Sequence, residues 1–294
     1  MNQVSEVGSH DSESGTAARR YSAEVTTEEL APDLTAAAFF DIDNTMMRGS
    51  SIFHLARGLY ARKILTSTDI SGFAWKAMKF AFSGHENLDD MASVTEAALE
   101  LVKGRHVDEM RELGDGIYEE YMVNKLWPGT VALAQAHLDS GQRVWLVSAT
   151  PIEIAEVIAE RLGLSGAIAT KSEQVNGRYT GRLAGPTMHG QVKADAVAEL
   201  AAAQGLDLAR CSAYSDSEND IPMLSLVGHP CAVNPDHKLR VHARTYGWQV
   251  RDFRGNRRVW TIGVPSAAAV GFAVGLGAGI TATHFHHKAS LVKT

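Results

Sequence analysis

Ala36-Ala37-Ala38-Phe39-Phe40-Asp41-Ile42-Asp43-Asn44-Thr45-Met46-Met47-Arg48-Gly49-Ser50 is the stretch on which the reading of this chain turns. Five apolar residues in succession, too few for a buried helix and bounded by acidic and turn-forming residues, predict a short strand buried on both faces. The run stops at Asp41, and Asn44 with Arg48-Gly49-Ser50 predicts a turn directly after it. Working outward, Arg143-Val144-Trp145-Leu146-Val147 repeats the pattern, ends at Ser148, and is followed by Pro151 and an apolar-periodic helix from Ile152 to Leu162. Cys211-Ser212-Ala213-Tyr214 repeats it again, ends at Ser215-Asp216 and leads to a helical start at Ile221-Pro222-Met223-Leu224. Ala232-Val233 and Trp248-Gln249-Val250 are shorter strand candidates. Strands alternating with helices predict an α/β protein with a parallel sheet, its ligands gathered at the carboxyl ends of the strands.

Between the first two strands the period changes. Residues 51–124 contain no convincing strand, and Phe73/Ala77/Phe80, Met91/Val94/Ala98/Leu101 and Val107/Met110/Leu113/Ile117 recur at helical spacing, separated by Gly84 and Gly104. An all-helical insert placed directly after a functional strand end is suited to act as a lid. Asn176-Gly177 and Gly181 among β-prone residues predict a hairpin or flap within residues 172–190.

The ends differ from the middle. Residues 1–34 hold seven acidic residues against two arginines, with much Ser, Thr and Gly, and read as a disordered acidic tail rather than an export signal. Residues 259–283 run for 25 positions without a charge, long enough to span a bilayer, with Gly271, Gly275 and Gly279 at the small-xxx-small spacing of packed membrane helices. Five glycines, six alanines and Pro265 make that run weakly hydropathic, so a helix docked on the domain or a flexible tail are the alternatives to a membrane anchor. The 294 residues carry 28 Lys+Arg and 34 Asp+Glu, a net charge of −6, which lacks the positive field that non-specific nucleic-acid binding needs. Cys211 and Cys231 are too few for a disulfide framework and lie in apolar runs, as core residues do in a reducing compartment.

Four separated pieces ask for one explanation: Asp41-Ile42-Asp43-Asn44-Thr45, Ser148 after its strand, Lys193 in Gly190-Gln191-Val192-Lys193, and Asp216-Ser217-Glu218-Asn219-Asp220. Carboxylates at i and i+2 face one site only if the chain turns between them, while Asp216 and Asp220 at i and i+4 share the side of a helical turn and suit a hard cation. A single Asp of this kind is commonly a helix cap or a solvated turn residue. The ordered set is what carries information.

That set resembles the haloacid dehalogenase superfamily, specifically its phosphoserine phosphatase-like branch (subfamily IB) with a helical cap inserted after the first motif. FFDIDNT matches the first motif, hhhDxDxT. WLVSAT matches the second, Lys193 the third and YSDSENDIPML the acidic fourth, over residues 36–250. The resemblance implies a Rossmann-like core from 35–50 and 125–258, a cap from 51–124, and a Mg²⁺-dependent phosphomonoester hydrolase. It implies Asp41 as nucleophile, forming an aspartyl-phosphate, and Asp43 as the acid and later the base. Thr45, Ser148, Ala149, Lys193 and Asn219 would bind phosphate or substrate. Asp41, Asp216 and the main-chain carbonyl of Asp43 would hold Mg²⁺, with Asp220 binding it through water or positioning Lys193.

Two positions depart from the pattern. Ser50 stands nine residues after Asp41, where phosphoserine phosphatases carry a glutamate for the substrate ammonium. Ala149-Thr150-Pro151 stands where that family has Gly-Gly after the second-motif Ser. Both remove support for amino-acid recognition, although Arg57, Arg62, Lys63, Lys76, Lys79 and Arg105 offer the cap basic groups for a substrate anion. Cap length and motif order still look most like the phosphoserine phosphatase group, so phosphoserine or a similar small phosphate is the first expected substrate, and a phosphorylated lipid head group, held near by the C-terminal run at a membrane, the second. A phosphotransferase and a membrane-tethered regulatory module are the competing activities. The partner expectations are a small phosphorylated substrate, no nucleic acid, a membrane met through 259–283, and a homodimer, with the catalytic domain cytoplasmic.

Overall fold

A computed structural model describes residues 33–65, 99–100 and 102–255. The tail up to residue 32, the periodic segments around 73–80 and 91–98, and the uncharged run 259–283 lie outside the described residues. Among those described, no helix is long and apolar enough to cross a membrane.

The core is a six-stranded parallel sheet. Its strands are β1 (Ala37–Phe40), β2 (Arg143–Pro151), β3 (Gly166–Thr170), β6 (Ser212–Ser215), β7 (His229–Val233) and β8 (Gln249–Arg251). They lie in the order β3-β2-β1-β6-β7-β8, every pairing parallel. From the central β1 the chain builds first toward β3 and then returns to place β6 on the other side of β1. Their carboxyl ends therefore flank a topological switch point, where open α/β sheets bind ligands. The parallel sheet expected from the sequence is present. The strand the sequence did not signal is β3, whose Gly-Ala-Ile-Ala-Thr is rich in small residues and occupies an edge.

Alternation along β1 divides the core into two layers. Ala38 and Phe40 join a cluster with Val144, Leu146, Tyr214, Cys231 and Val233. Ala37 and Phe39 join the opposite one with Val147, Ala213, Ala232, Met223, Leu224 and Leu239. All four residues of β1 are fully buried, which is why the strand reads as an unbroken apolar run. Truncating Phe39 or Phe40 to alanine would cost about 3–5 kcal/mol. The second layer is closed by helices α5 (Gln191–Gln204), α6 (Ile221–Ser225) and α7 (His237–Thr245). Both cysteines are free and buried, as core residues.

The first layer is closed by α1 (Ser51–Ala61), α2 (Val107–Ile117), α3 (Pro128–Asp139) and α4 (Ile152–Arg161). Leu55 and Leu59 of α1 and Met110 and Ile117 of α2 belong to the same cluster as Phe40 and Leu146, so the described helices of the insert share the core of the sheet. Its helical character there agrees with the sequence period. The insert's two ends are pinned together where it leaves and rejoins the core. Arg48 N–H donates to Lys125 O at 2.8 Å, and Trp127 N–H to Met46 O at 2.9 Å.

The expected hairpin is present as β4 (Ser172–Val175) and β5 (Arg178–Leu183). Asn176 and Gly177, at φ +52° and +72°, supply the two left-handed residues that a two-residue hairpin turn requires. The hairpin is tied to the start of α2 by Gly104 N–H to Tyr179 O at 2.8 Å, Tyr179 N–H to Arg105 O at 3.1 Å, and Val107 N–H to Gly177 O at 2.9 Å.

Candidate active site

The site forms where β1, β2 and β6 end. Asp41 immediately follows β1, and its backbone N–H donates to Tyr214 O on β6 at 2.9 Å, holding the two strand ends in register. The chain then turns as the i, i+2 carboxylates required. Asn44 adopts φ +57°, and its side-chain oxygen accepts from Gly49 N–H at 3.0 Å, with Gly49 at φ +77°. Thr45, Met46 and Met47 are fully buried beneath, so the turn is anchored by packing. Asp43 lies close enough to Asp41 for its negative charge to help raise the pKa of Asp41.

Lys193 enters from the first turn of α5. Gly190, the residue before that helix, sits at φ +54°, ψ −123°, a conformation open to glycine, and so aims the helix start at the strand ends. The Lys193 ammonium, 4% exposed, donates to Asp41 Oδ1 at 2.6 Å and to Asp220 Oδ2 at 2.8 Å. Ser215 Oγ also donates to Asp220 Oδ2, at 2.7 Å. Asp220 is thus in direct contact with the Lys193 ammonium. Burial acts to lower the Lys193 pKa, but the adjacent carboxylates of Asp41 and Asp220 outweigh it and hold the ammonium protonated.

Asp216 lies at the end of β6, where its Oδ1 accepts from Thr45 Oγ1 at 3.3 Å. Burial is the main cause that raises its pKa to about 8, reinforced by Asp41 and Asp220. Burial likewise raises Asp41 to about 7, against the opposing pull of Lys193. Asp41 and Asp220 share the Lys193 ammonium and Asp216 lies beside them, so three acidic groups face one cation in a poorly solvated place, which favours the protonated forms of Asp41 and Asp216. A divalent cation taking the place of those protons would balance the carboxylates. Among the described residues no group of three or more His, Cys, Asp or Glu side chains forms a metal cluster. The expected donor set needs none, since it combines only the Asp41 and Asp216 carboxylates with a main-chain oxygen, and these residues fit a hard oxygen-seeking cation such as Mg²⁺.

The wall beside β2 is made of hydroxyls. The ladder between β2 and β3 shifts register between Ser148 and Pro151, bulging Ala149 and Thr150 at the mouth of the site. Ser148 Oγ lies 2.8 Å from Thr150 Oγ1, which lies 2.6 Å from Ser51 Oγ, and all three residues are buried. The Ser51 N–H donates to Asp43 Oδ1 at 2.8 Å, so the acid of the first motif rests on the start of α1. Asn219 is half-buried on the turn Glu218–Asp220, with its amide donating to Ser217 Oγ at 3.2 Å.

The structure therefore brings together Asp41, Asp43, Thr45, Ser148, Lys193, Asp216 and Asp220, with Ala149 and Asn219 on the adjoining segments. Reading the sequence missed Ser51, Thr150 and Ser215. Thr150 was open to discovery, two residues after Ser148, but was legible only as a departure from Gly-Gly. Among the described basic groups of the insert Lys63 is exposed, and three others have partners. Arg62 pairs with Glu120 at 2.7 Å and Arg105 with Glu109 at 2.9 Å, and Arg57 lies 5.5 Å from the centre of the Tyr121 ring. Lys76 and Lys79 lie outside the described residues.

Comparison with known proteins agrees with this geometry. Over 243 residues the chain is 54% identical to a phosphoserine phosphatase of Mycobacterium tuberculosis, covering 83% of this chain and 79% of that one. It is 28% identical over 221 residues to a histidinol-phosphatase of Neisseria meningitidis, covering 74% of this chain and 98% of its relative. A solved structure from Bordetella pertussis, described as a protein with unknown function, aligns with a TM-score of 0.67 at 29% identity, over 74% of this chain and 98% of that one. The family of haloacid dehalogenase-like hydrolases matches residues 38–225, the span from the first motif through the fourth. With strand order, motif order and site geometry in agreement, the chain belongs to the haloacid dehalogenase-like hydrolases.

Proposed function

We propose that the chain is a Mg²⁺-dependent phosphomonoester hydrolase acting through an aspartyl-phosphate, with phosphoserine or a similar small phosphate as substrate. The observation that carries this reading is the buried Lys193 ammonium shared between Asp41 and Asp220 at the mouth of the sheet. A phosphomonoester dianion repels a carboxylate, and Lys193 screens that repulsion at the oxygen beside which Asp41 must react. Bound Mg²⁺ would neutralise further phosphoryl charge and polarise the phosphorus for attack.

In the first step an Asp41 oxygen forms a bond to phosphorus while the bond to the ester oxygen breaks, and Asp43 delivers a proton to that leaving oxygen. In the second, water attacks phosphorus, Asp43 takes the water's proton, and Asp41 departs as a carboxylate with inorganic phosphate released. Thr45, Ser148 and the Ala149 N–H supply donors for the phosphoryl oxygens. Asn219 orients the acceptor side, and the insert 51–124 serves as the cap that limits access. The name of the M. tuberculosis relative supports phosphoserine. Ser50, and the absence of any acidic residue from the first turn of α1, leave no carboxylate there to receive its ammonium, which keeps the substrate class at small phosphomonoesters.

Purified protein with Mg²⁺ is expected to hydrolyse a generic aryl phosphate, and Asp41→Asn to lower turnover on the order of 10³-fold or more. Undiminished turnover by Asp41→Asn would overturn the proposal. A panel containing phosphoserine, histidinol phosphate and lysophospholipid phosphates then ranks substrates by kcat/KM.

A further inference from the structure

Ser51, Thr150 and Ser148 form an unbroken line of hydroxyls, 2.6 Å and 2.8 Å apart, drawn from the first residue of α1 and from the bulged end of β2. Their exposures are 0%, 3% and 2%, so their hydrogen bonds are made mainly with one another. Each hydroxyl has one proton to give and two acceptor positions. Ser148 Oγ already accepts from the Thr150 backbone N–H at 3.2 Å. For its own proton to reach a phosphoryl oxygen, its second acceptor position must take the Thr150 hydroxyl proton, and Thr150 Oγ1 must then accept from Ser51. With phosphate bound, donation therefore runs in one direction, from Ser51 to Thr150 to Ser148 to the phosphoryl group. At its origin the same Ser51 holds Asp43 through its backbone N–H at 2.8 Å.

We propose that Thr150 and Ser51 are positioning residues of the phosphoryl-transfer site, orienting the Ser148 proton toward the transferring group and setting Asp43 and Ser148 from one point on α1. This rests on the hydrolase reading above. Oriented chains of hydroxyls polarise one another, so the terminal donor is stronger than an isolated serine. A purely structural role for Thr150, satisfying a buried neighbour, predicts a loss that does not depend on Ser148. A positioning role predicts that the loss disappears once Ser148 has no hydroxyl to orient.

The experiment uses the full chain with Mg²⁺, measuring kcat and KM on an aryl phosphate and the Kd of orthovanadate. The variants are Thr150→Val, Thr150→Ser, Ser51→Ala and Ser148→Ala, with the two doubles that combine Ser148→Ala with Thr150→Val or Ser51→Ala. Thr150→Val is expected to lower kcat and weaken vanadate binding by about tenfold, with a smaller change in KM, and Thr150→Ser to restore all three to within about threefold. In the Ser148→Ala background neither Thr150→Val nor Ser51→Ala should cost more than about twofold. Equal losses in both backgrounds, or no loss in either, would overturn the proposal. If Thr150→Val does not fold, the Ser51→Ala cycle decides the question alone. If the wild-type protein binds vanadate without hydrolysing any ester, the hydrolase reading fails while the hydroxyl chain is judged by the same cycle in vanadate Kd.

Discussion

Asp41 is 5% exposed and ion-paired to an equally buried lysine, whereas Asp43, two residues later, is half-buried and accepts from a backbone N–H at the start of a helix. The first belongs to a floor of full charges built on strand ends, together with Lys193, Asp216 and Asp220. The second belongs to a wall of neutral donors, with Ser51, Thr150 and Ser148. The difference suits the roles proposed for the two residues. The proposed nucleophile has to be held in place, and strand ends inside a close-packed core hold it. The proposed acid and base, Asp43, is instead half-buried and rests on a single backbone donor. Full charges set the reaction centre, and neutral groups adjust it.

Removing the cation from the floor tests the contrast most severely. Lys193→Met leaves Asp41 and Asp220 buried without a counter-charge. It is expected to lower turnover on the order of 10²-fold or more and to destabilise the fold by about 3–5 kcal/mol, read by kinetics and denaturant unfolding. Lys193→Arg should not restore turnover, since a planar fork cannot replace a point charge between two carboxylates. A stable, active Lys193→Met protein would mean that the floor is not organised by charge.

A second effect concerns pH. The folded protein without metal holds Asp41 at about 7 and Asp216 at about 8, above the ordinary value of 3.8. The fold therefore binds more protons than the unfolded chain between pH ~4 and ~8, and its stability falls as pH rises through that window. Mg²⁺ competes with those protons, so its stabilisation should be larger at pH 8.5 than at pH 5.5. The difference should be about 1 kcal/mol or more, seen as a rise of about 2–4 °C in Tm. An equal rise at both values would separate cation binding from these carboxylates.

The smallest expected effect lies away from both regions. Arg62, paired with Glu120, can be replaced by alanine with a change of less than about 0.5 kcal/mol in stability and less than about twofold in kcat/KM. A large rise in KM would instead assign it to the substrate.

The floor was readable from the chain because its residues follow unbroken apolar runs or recur in a fixed order, so Asp41, Lys193 and Asp216 could be named before any geometry. The wall was not, for physical reasons. Ser51 meets Thr150 across 99 residues of sequence, and a serine opening a helix looks like any other. Thr150 was visible only as a residue that displaced a glycine. Lys193 masks the role of Asp220, since i and i+4 carboxylates suggest a cation without saying whether it is a metal or an ammonium. β3 escaped notice because small residues at a sheet edge carry little hydrophobic signal.

The paired backbone bonds at Met46–Trp127 and Arg48–Lys125, beside which the Arg48 guanidinium lies 4.4 Å from the centre of the Trp127 ring, bear on how such enzymes diversify. By holding the chain's exit and re-entry together, they close the intervening segment as a loop whose ends are already joined. The entropy of such a loop grows only logarithmically, about 0.6 kcal/mol for each doubling of length. Changes in the length of that segment would thus cost the sheet little entropy, provided they spare α1 and α2, which place Leu55, Leu59, Met110 and Ile117 in its core and Ser51 at the site. New specificities can be tried over an unchanged reaction centre.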